Sequence, residues 1–349
     1  MNRSRERLWN ALVLGGVHHL FRYVNKDRVT ILTYHGIVEG SQPYSYWTLL
    51  ALEKFRRQIF YMKKYYNILP LPEVAEKLLH GEPLPPYTAV ITFDDGFRNN
   101  YTTAFPLLKR EGVPATIFLA TGYMDTNELY WADKLFVIFR ETERRELDLD
   151  RLALGRYRFE TREERQKMAR SLLDRLKRLP VEQKNKAMEA IVRELGWPNE
   201  PPAYLGDFLP LTWQQVSEMH DSGLIQFGGH TVNHEILSRL EPEAMRAEIV
   251  DCCEEIKHRL ELDKITFSYP NGSREDFGEV NKVVLKEIGI PCAASTIEQL
   301  TRRDEDLYEL KRIRVGADVT PSRFRLLCSG FIPWLKSNVR REPASESYS

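Results

Sequence analysis

Short apolar runs alternate with longer amphipathic stretches along most of the chain. The runs are rich in β-branched and aromatic residues, which is typical of buried strands, and they cover residues 29–34, 89–93, 115–119, 224–227, 265–269, 291–295 and 310–315. Between them, apolar residues recur at helical spacing over residues 52–65, 71–79, 100–111, 243–262 and 277–287. This alternation predicts a parallel sheet covered by helices.

An open doubly wound sheet and a closed barrel both fit such an alternation. No G-x-G-x-x-G or G-x-x-x-x-G-K-[ST] sequence follows a predicted strand, so we do not expect a standard nucleotide-binding loop. In a barrel, the carboxyl ends of the strands meet at one mouth. The unusual polar residues of this chain follow its predicted strands, and we therefore look for function at that mouth.

Residues 141–202 differ from the rest of the chain in composition, with dense Arg, Lys and Glu at helical spacing. We interpret them as a helical insertion. The apolar face of its first helix is predicted to consist of Leu172, Leu173, Leu176 and Leu179, with Pro180 as a stop signal. The insertion contains no histidine, which favours a solvated pair of helices over a catalytic element, although it can still shape the rim of a cleft. The predicted organisation is a basic amphipathic segment at 1–28, a barrel at 29–340 and a disordered tail at 341–349.

Charge and cysteine usage exclude several classes of protein. Lys+Arg and Asp+Glu both number 50, so the formal net charge is +0 and binding of nucleic acid through overall charge is not expected. The cysteines, Cys252, Cys253, Cys292 and Cys328, lack metal or disulfide spacing and are predicted to be small buried residues. The apolar run at 11–17 is too short to span a bilayer and lacks a cleavage pattern. We expect a cytoplasmic chain without a signal peptide or transmembrane helix.

Both ends of the chain combine apolar and basic residues. The apolar stretch at 8–20 is surrounded by Arg3, Arg5, Arg7, Arg22, Lys26 and Arg28, and residues 331–335 lie beside Lys336, Arg340 and Arg341. Such segments can lie on an anionic membrane. The alternative for each segment is a helix that packs on an end of the barrel.

Two carboxylates in succession, Asp94 and Asp95, follow the predicted strand at 89–93. Successive residues of an extended chain point to opposite sides, so the two groups can take different roles, one binding a metal and the other handling a proton. The alternative is that one of them caps a helix that begins near Asn99.

A histidine pair follows a later strand. His230 and His234 come after Gly228 and Gly229 and face the same way if the segment turns helically. Together with Asp95 they would provide two imidazoles and one carboxylate, with positions left open for water and substrate. Zinc is the default ion for this set, and iron, cobalt or nickel also fit.

Two further strand ends carry candidate residues. The sequence Ser268-Tyr269-Pro270-Asn271-Gly272 predicts a turn that can direct a backbone N–H at a developing oxyanion, and an ordinary turn is the alternative. In Tyr34-His35-Gly36, a strand brings His35 to its end and glycine lets the chain turn away, and a packed histidine is the alternative.

The motifs TFDDG, HTVNH and FSYPNG, in this order on these strands, resemble the polysaccharide deacetylase family, the NodB-homology group of carbohydrate esterases. The resemblance runs from Val29 to Val315. It implies an α/β fold, a distorted (β/α) barrel with fewer than eight units, that holds one divalent metal and removes N-acetyl groups from amino sugars. It also implies that Asp94 is the general base, that Asp95, His230 and His234 bind the metal, and that the N–H of Asn271, after Pro270, helps to hold the oxyanion.

Two features depart from the family pattern. Ser268 stands where the motif arginine is usual, and no histidine follows His258 to act as the general acid. In the similar poly-N-acetylglucosamine deacetylases that acid comes from an N-terminal tyrosine–histidine pair, which Tyr34 and His35 match. For the missing arginine, Arg312 on the last predicted strand is our candidate partner of Asp94, and a surface cation is the alternative.

The resemblance therefore predicts a metal-dependent hydrolase that acts on N-acetylglucosamine-type residues of a polymeric or lipid-linked glycan, as in exopolysaccharide biosynthesis. Aromatic residues near the predicted mouth that could stack on sugar rings are Phe97, Tyr123, Trp131 and Trp213, although core packing explains most aromatics. The alternatives are an amidase or deformylase for another acylated amino sugar, and a catalytically silent carbohydrate-binding protein. The complete set of Asp94, Asp95, His230 and His234 argues against the silent protein.

Overall fold

A computed structural model describes residues 3–40, 46–198 and 202–339, so the predicted tail at 341–349 lies outside the described residues. The strands are β1 Thr30–Tyr34, β2 Gly36–Val38, β3 Leu49–Ala51, β4 Asn67–Ile68, β5 Thr88–Phe93, β6 Ala115–Leu119, β7 Glu146–Asp148, β8 Arg156–Arg158, β9 Ile225–Gly229, β10 Thr266–Ser268, β11 Ala293–Ala294 and β12 Ile313–Arg314.

The helices are α1 Arg3–Leu14, α2 Val17–Val24, α3 Leu52–Tyr65, α4 Leu71–Leu79, α5 Phe105–Glu111, α6 Trp131–Glu141, α7 Arg162–Leu176, α8 Val181–Leu195, α9 Trp213–Asp221, α10 Pro242–Leu260, α11 Glu279–Glu287, α12 Pro321–Cys328 and α13 Phe331–Val339. A π-helical turn, Asn100–Ala104, leads into α5. Each of the predicted strands and helices outside the insertion contains an element of the expected type.

The main sheet is parallel and follows the order β11-β10-β9-β6-β5-β1-β12, with β4 paired to β5. A parallel bridge from Ala294 to Leu310, just before β12, connects the two ends of this order. Every residue of β1 and β5 is buried, as expected for strands with both faces covered. The predicted distorted (β/α) barrel is therefore confirmed.

Strand register places distant parts of the sequence side by side at the mouth. Tyr34 pairs with Phe93 at the ends of β1 and β5, and the backbone N–H of Asp94 donates to the Tyr34 carbonyl at 2.9 Å. Gly229 pairs with Phe267 at the ends of β9 and β10. His35, Asp94 and His230 are thus the first residues beyond β1, β5 and β9, Ser268 is the last residue of β10, and all four lie at one edge of the sheet.

Two glycines on these strands allow close packing rather than a turn. A Cβ at Gly228 would lie 2.5 Å from the Thr266 carbonyl oxygen and 2.8 Å from the Phe118 ring. A Cβ at Gly36 would lie 2.4 Å from Leu49 Cδ2. The sequence suggested that the chain turns away at Gly36. Instead, the chain continues into β2, which pairs with β3.

The charged insertion has a hydrophobic core of its own. Helices α6, α7 and α8 and the antiparallel hairpin β7–β8 bury a separate cluster that includes Leu135, Phe159, Leu172, Leu176 and Ile191. The cluster begins at Trp131, ahead of the change in composition at about residue 141. We call α6, β7, β8, α7 and α8 the helical subdomain. Its core shows that it is more than a solvated pair of helices.

The terminal helices pack on one another. Val13 belongs to the main core, and the Phe21 ring lies 5.0 Å from Phe331 and 5.3 Å from Trp334. The described parts of both segments therefore pack against each other and against the main core. None of the described helices combines the length and the apolar character needed to cross a bilayer. All four cysteines are free and buried, as predicted.

Candidate active site

A cavity opens at the carboxyl ends of the strands and holds most of the predicted site residues. The residues that line it are His35, Tyr46, Trp47, Thr48, Asp94, Asp95, Tyr130, Trp131, Ala132, Asp133, Leu173, Lys177, His230, His234, Asn271, Thr296 and Arg314.

The three predicted metal ligands converge in this cavity. Oδ1 of Asp95 lies 3.5 Å from Nε2 of His230 and 3.2 Å from Nε2 of His234, and one donor atom from each residue falls within 4.8 Å of the others. Burial raises the pKa of Asp95, but its contacts with both imidazoles outweigh burial and hold this pKa well below its usual range. An ionised carboxylate and two imidazoles fit a divalent transition-metal ion.

Left-handed backbone turns produce this convergence. Asp95 has φ of 72°, Thr231 of 65° and His234 of 54°, which are uncommon values for residues with a side chain. The segment from His230 to His234 is a loop and not the helical turn that its spacing suggested. The structure does not show the helix-cap alternative for Asp94 and Asp95, because the helix begins at Arg98 and the carboxylates contact Arg312 and the two histidines instead.

Hydrogen bonds on both sides hold the histidine loop. Nδ1 of His230 lies 2.7 Å from the carbonyl oxygen of Ser268, which turns Nε2 toward Asp95. Glu248 on α10 accepts hydrogen bonds from the backbone N–H of Asn233 at 2.8 Å and from its Nδ2 at 2.6 Å. Such contacts behind the ligands fix the orientation of the imidazoles.

The helical subdomain also holds this loop. Lys184 Nζ on α8 donates to Oε1 of Glu235 at 2.6 Å and to Oε2 at 2.5 Å. Glu235 directly follows the predicted ligand His234, and the Lys184 ammonium lies 5.1 Å from the Trp131 ring centroid. The side chain of Lys184 is 5% exposed and that of Glu235 12% exposed. A buried ion pair therefore joins the subdomain to the loop that carries the predicted histidine ligands.

Arg312 and Asp94 form a second buried ion pair. Nη1 and Nη2 of Arg312 each lie 2.8 Å from one carboxylate oxygen of Asp94. The remaining donors go to the Ser268 hydroxyl at 2.9 Å, the Ser295 carbonyl at 2.7 Å and the Thr92 hydroxyl at 3.3 Å. All five N–H groups are thus used. The structure brings together the pair that we expected to replace the missing motif arginine, and it rules out the surface-cation alternative, because Arg312 is fully buried.

The guanidinium controls the charge of Asp94. Burial raises the pKa of Asp94, but Arg312, together with His230 and His35, outweighs burial and holds this pKa below its usual range. A carboxylate that stays ionised in a buried site can accept a proton from a nearby group.

His35 lies in the cavity at the end of β1. Its ring meets Trp47 edge to face at a centroid distance of 5.0 Å, and its carbonyl accepts a hydrogen bond from Asn100 Nδ2 at 2.6 Å. Burial lowers the pKa of His35, while Asp95 and Asp94 act in the opposite direction. Tyr34, by contrast, points into the core between Phe55 and Phe93 and does not line the cavity.

Asn271 reaches the cavity in a left-handed conformation with φ of 58°. Its carbonyl accepts a short hydrogen bond from the Thr296 hydroxyl. Within the part of the chain that the structure describes, no hydrogen bond from the Asn271 N–H is found. Pro270 is buried before it and fixes the turn. A fixed, unpaired N–H at a cavity wall is the arrangement that an oxyanion site needs.

Of the aromatic residues that we expected at the mouth, Trp131 lines the cavity. Phe97 is buried in a core cluster, Tyr123 packs against the same cluster, and Trp213 lies under Arg259 on another face. The aromatic residues at the cavity include instead Tyr46, Trp47 and Tyr130.

Sequence reasoning also missed several polar residues of the cavity, namely Asp133, Lys177, Thr296 and Arg314. Asp133 and Lys177 belong to the helical subdomain. They were missed because the sequence analysis looked for functional residues at the carboxyl ends of the predicted strands.

Comparison with known proteins agrees with this geometry. A sequence model of the family described as polysaccharide deacetylase matches residues 81–291. The Bacillus subtilis (strain 168) protein YxkH is 21% identical over 298 residues, which are 85% of this chain and 75% of that protein. An Escherichia coli (strain K12) poly-β-1,6-N-acetyl-D-glucosamine N-deacetylase is 34% identical over 61 residues, or 18% of this chain and 9% of that protein.

A similar fold occurs in a solved structure, the Streptococcus pyogenes deacetylase PplD in complex with acetate. The TM-score is 0.56 at 19% identity, and the superposition covers 87% of this chain and 98% of that one.

The Lys184–Glu235 pair generates a prediction about stability. Lys184→Met should lower the free energy of unfolding by about 3 kcal/mol, because it leaves Glu235 as a buried charge without its partner. The measurement is urea denaturation. Lys186→Met is the matched control on the same helix, since Lys186 pairs with Glu182 on the surface, and it should change the value by less than about 0.5 kcal/mol.

The double variant Lys184→Met/Glu235→Gln should recover part of the loss, because no unpaired charge is left behind. Equal stability of Lys184→Met and Lys186→Met would show that the pair does not hold the loop.

Proposed function

The chain belongs to the polysaccharide deacetylase family of amide hydrolases, and we propose that it removes N-acetyl groups from N-acetylglucosamine-type residues in a metal-dependent reaction. The observation that carries the proposal is the contact between a fully buried Arg312 and Asp94 beside the Asp95, His230 and His234 cluster. This arrangement supplies a base held ionised next to a metal site.

We assign the metal to Asp95, His230 and His234 and expect zinc, with cobalt, nickel or iron as alternatives. When bound, such an ion polarises a carbonyl and makes water a better nucleophile. The residues that surround it keep two imidazole Nε2 atoms and one carboxylate oxygen directed at a common point.

Asp94 is assigned as the general base, which takes a proton from the attacking water. Its two oxygens are held by Arg312, so the carboxylate is oriented as well as ionised. The N–H of Asn271 is assigned to the oxyanion that forms at the acetamide carbonyl, where each such donor contributes about 3 kcal/mol.

His35 is assigned as the general acid that protonates the departing amine. It lines the same cavity as Asp94 and follows the strand that pairs with β5. Burial lowers the pKa of His35, and the carboxylates Asp95 and Asp94 oppose this only in part. Acetate and a free amino sugar would be the products.

The printed name of the Escherichia coli relative supports a poly-N-acetylglucosamine substrate, as in exopolysaccharide biosynthesis, and a lipid-linked glycan is the alternative. A formamide or another acyl group on an amino sugar would use the same residues. The acid that is released, acetate or formate, separates these two reactions.

The test of the proposal combines metal content with acetate release. Wild-type protein loaded with zinc, cobalt or nickel should bind one equivalent of metal and release acetate from N-acetylglucosamine oligomers. Asp95→Ala should lose both properties, and His35→Ala should keep the metal but lose turnover by about 100-fold or more. Metal without acetate release by the wild type would indicate another acyl group, and the absence of metal would overturn the proposal.

Removal of the Arg312 charge should change the pH dependence of the reaction. The base acts when it is deprotonated, and Arg312→Gln raises the pKa of Asp94 because it removes the opposing charge. The acidic limb of the kcat/KM profile should therefore move to higher pH by about one to three units. Arg312→Lys, which keeps the charge, should move it less. An unchanged limb in Arg312→Gln would contradict the role given to this pair.

We also propose a peripheral contact between the terminal helices and an anionic membrane, on the cytoplasmic face. The described part of α1 and α2 exposes apolar side chains beside basic ones, among them Leu8, Leu14, Leu20 and Val24 next to Arg5 and Arg7. Apolar insertion and charge attraction act together on such a surface.

The wild-type protein should co-sediment with phosphatidylglycerol vesicles at low salt and less at high salt, because salt screens the charge attraction. Leu14→Glu/Leu20→Glu should lower the bound fraction several-fold. Val280→Glu, at an exposed apolar residue of α11, is the matched control and should leave it unchanged. Wild-type protein that stays in the supernatant at low salt would end the membrane proposal.

A further inference from the structure

Asp133 is a buried carboxylic acid that the roles assigned above do not use. It lies in the first turn of α6, is 4% exposed and lines the cavity that holds the metal-ligand cluster. No ion pair of Asp133 with Lys, Arg or His is found among residues 3–40, 46–198 and 202–339. Its polar neighbour is the hydroxyl of Tyr46, which lines the same cavity.

A capping role does not explain this side chain. The N-cap of α6 is Tyr130, no side-chain hydrogen bond caps this helix end, and the Asp133 carboxyl makes no capping box there. A carboxyl removed from water costs several kcal/mol unless a partner compensates. Burial and the nearby Asp95 raise the pKa of Asp133 to about 8, and Tyr46 opposes this only in part. The fold therefore provides less compensation at Asp133 than at Asp94, where a guanidinium meets both oxygens.

Aromatic side chains line the cavity beside Asp133. Trp131, two residues earlier on the same helix turn, and Tyr130 before it also line the cavity. Tyr130 is fixed by a short hydrogen bond from its hydroxyl to the Asp95 carbonyl, and Trp131 is backed by the Lys184 ammonium. Rigid aromatic side chains beside a paired acid and phenol are a typical setting for a polar ring with apolar faces.

We propose that Asp133, together with Tyr46, binds a free ring hydroxyl of the amino sugar whose acetamide is hydrolysed. The proposal rests on the proposed function and adds a specificity-determining residue to it. The sugar hydroxyl can donate to a free lone pair of the Asp133 carboxyl, while the Tyr46 phenol keeps its own hydrogen bond to that carboxyl. The helical subdomain thereby selects sugars that are unsubstituted at one position.

The test uses metal-loaded enzyme and N-acetylglucosamine oligomers, with monodeoxy N-acetylglucosamine glycosides as probes. Asp133→Ala should lower kcat/KM about 10- to 100-fold, mainly through KM, because a site built to bind a hydroxyl loses its acceptor. Metal content and the acidic limb of the pH profile should not change. Asp133→Asn, which keeps the shape, should fall between Asp133→Ala and the wild type. Lys134→Met, at the next residue but paired with Glu128 on the surface, is the matched control.

A thermodynamic cycle makes the assignment specific. Removal of the hydroxyl at one sugar position should lower kcat/KM of the wild type about as much as Asp133→Ala does. The same deoxy sugar should cause no further loss of kcat/KM in Asp133→Ala. Wild-type kcat/KM in Asp133→Ala, or equal losses from every deoxy probe in both proteins, would overturn the inference.

Calorimetric binding of the oligomers separates this inference from the proposed function. Binding to the wild type but not to Asp133→Ala, without acetate release, would support the role of Asp133 and contradict the deacetylation. Wild-type protein that neither binds nor hydrolyses the oligomers would overturn both.

Discussion

The bidentate contact between Arg312 and Asp94 is the interaction on which the rest of the site depends. A carboxylate that is 3% exposed and lies next to a second carboxylate, Asp95, would take up a proton in the absence of a cation. Arg312 prevents this, and because its other donors end on Ser295, Ser268 and Thr92, it also ties together residues from three parts of the sheet. The pair therefore sets both the charge state and the geometry of the strand ends.

This solution requires the closed order of the sheet. Arg312 precedes β12, which pairs with β1, and β1 pairs with β5, which leads into Asp94. The side chain reaches across β1 to the neighbouring strand. Ser268, at the position where the family pattern usually has an arginine, is small enough to leave this space and accepts one of the Arg312 hydrogen bonds. Arg312 thus comes from the segment before the last strand, and strand pairing fixes its position relative to Asp94.

Much of this arrangement could be predicted from the sequence, because strands and their ends leave local signals. The alternation of apolar runs placed the strands, and the motifs that follow them placed Asp94, Asp95, His230 and His234 at one mouth. The backbone between the histidines could not be predicted in the same way. A spacing of four residues suggests a helical turn, but the observed loop needs positive φ at Thr231 and His234. These positive φ angles are stable only because contacts such as that of Asn233 with Glu248 hold the loop. Such contacts join residues that are distant in sequence, so the local spacing does not reveal them.

The helical subdomain was the hardest part to interpret, since its composition resembles a solvated surface. A segment rich in charged residues is exposed only when those charges lack buried partners. Lys184 is charged but buried, because it pairs with the buried Glu235. The same helices bury a core of their own, contribute Leu173 and Lys177 to the cavity and hold the residue after His234. A barrel mouth alone would leave the ligand loop and one side of the cavity open to water. Because the subdomain covers that side and is attached to the loop through the Lys184–Glu235 ion pair, changes in its packing can reach the predicted metal ligands.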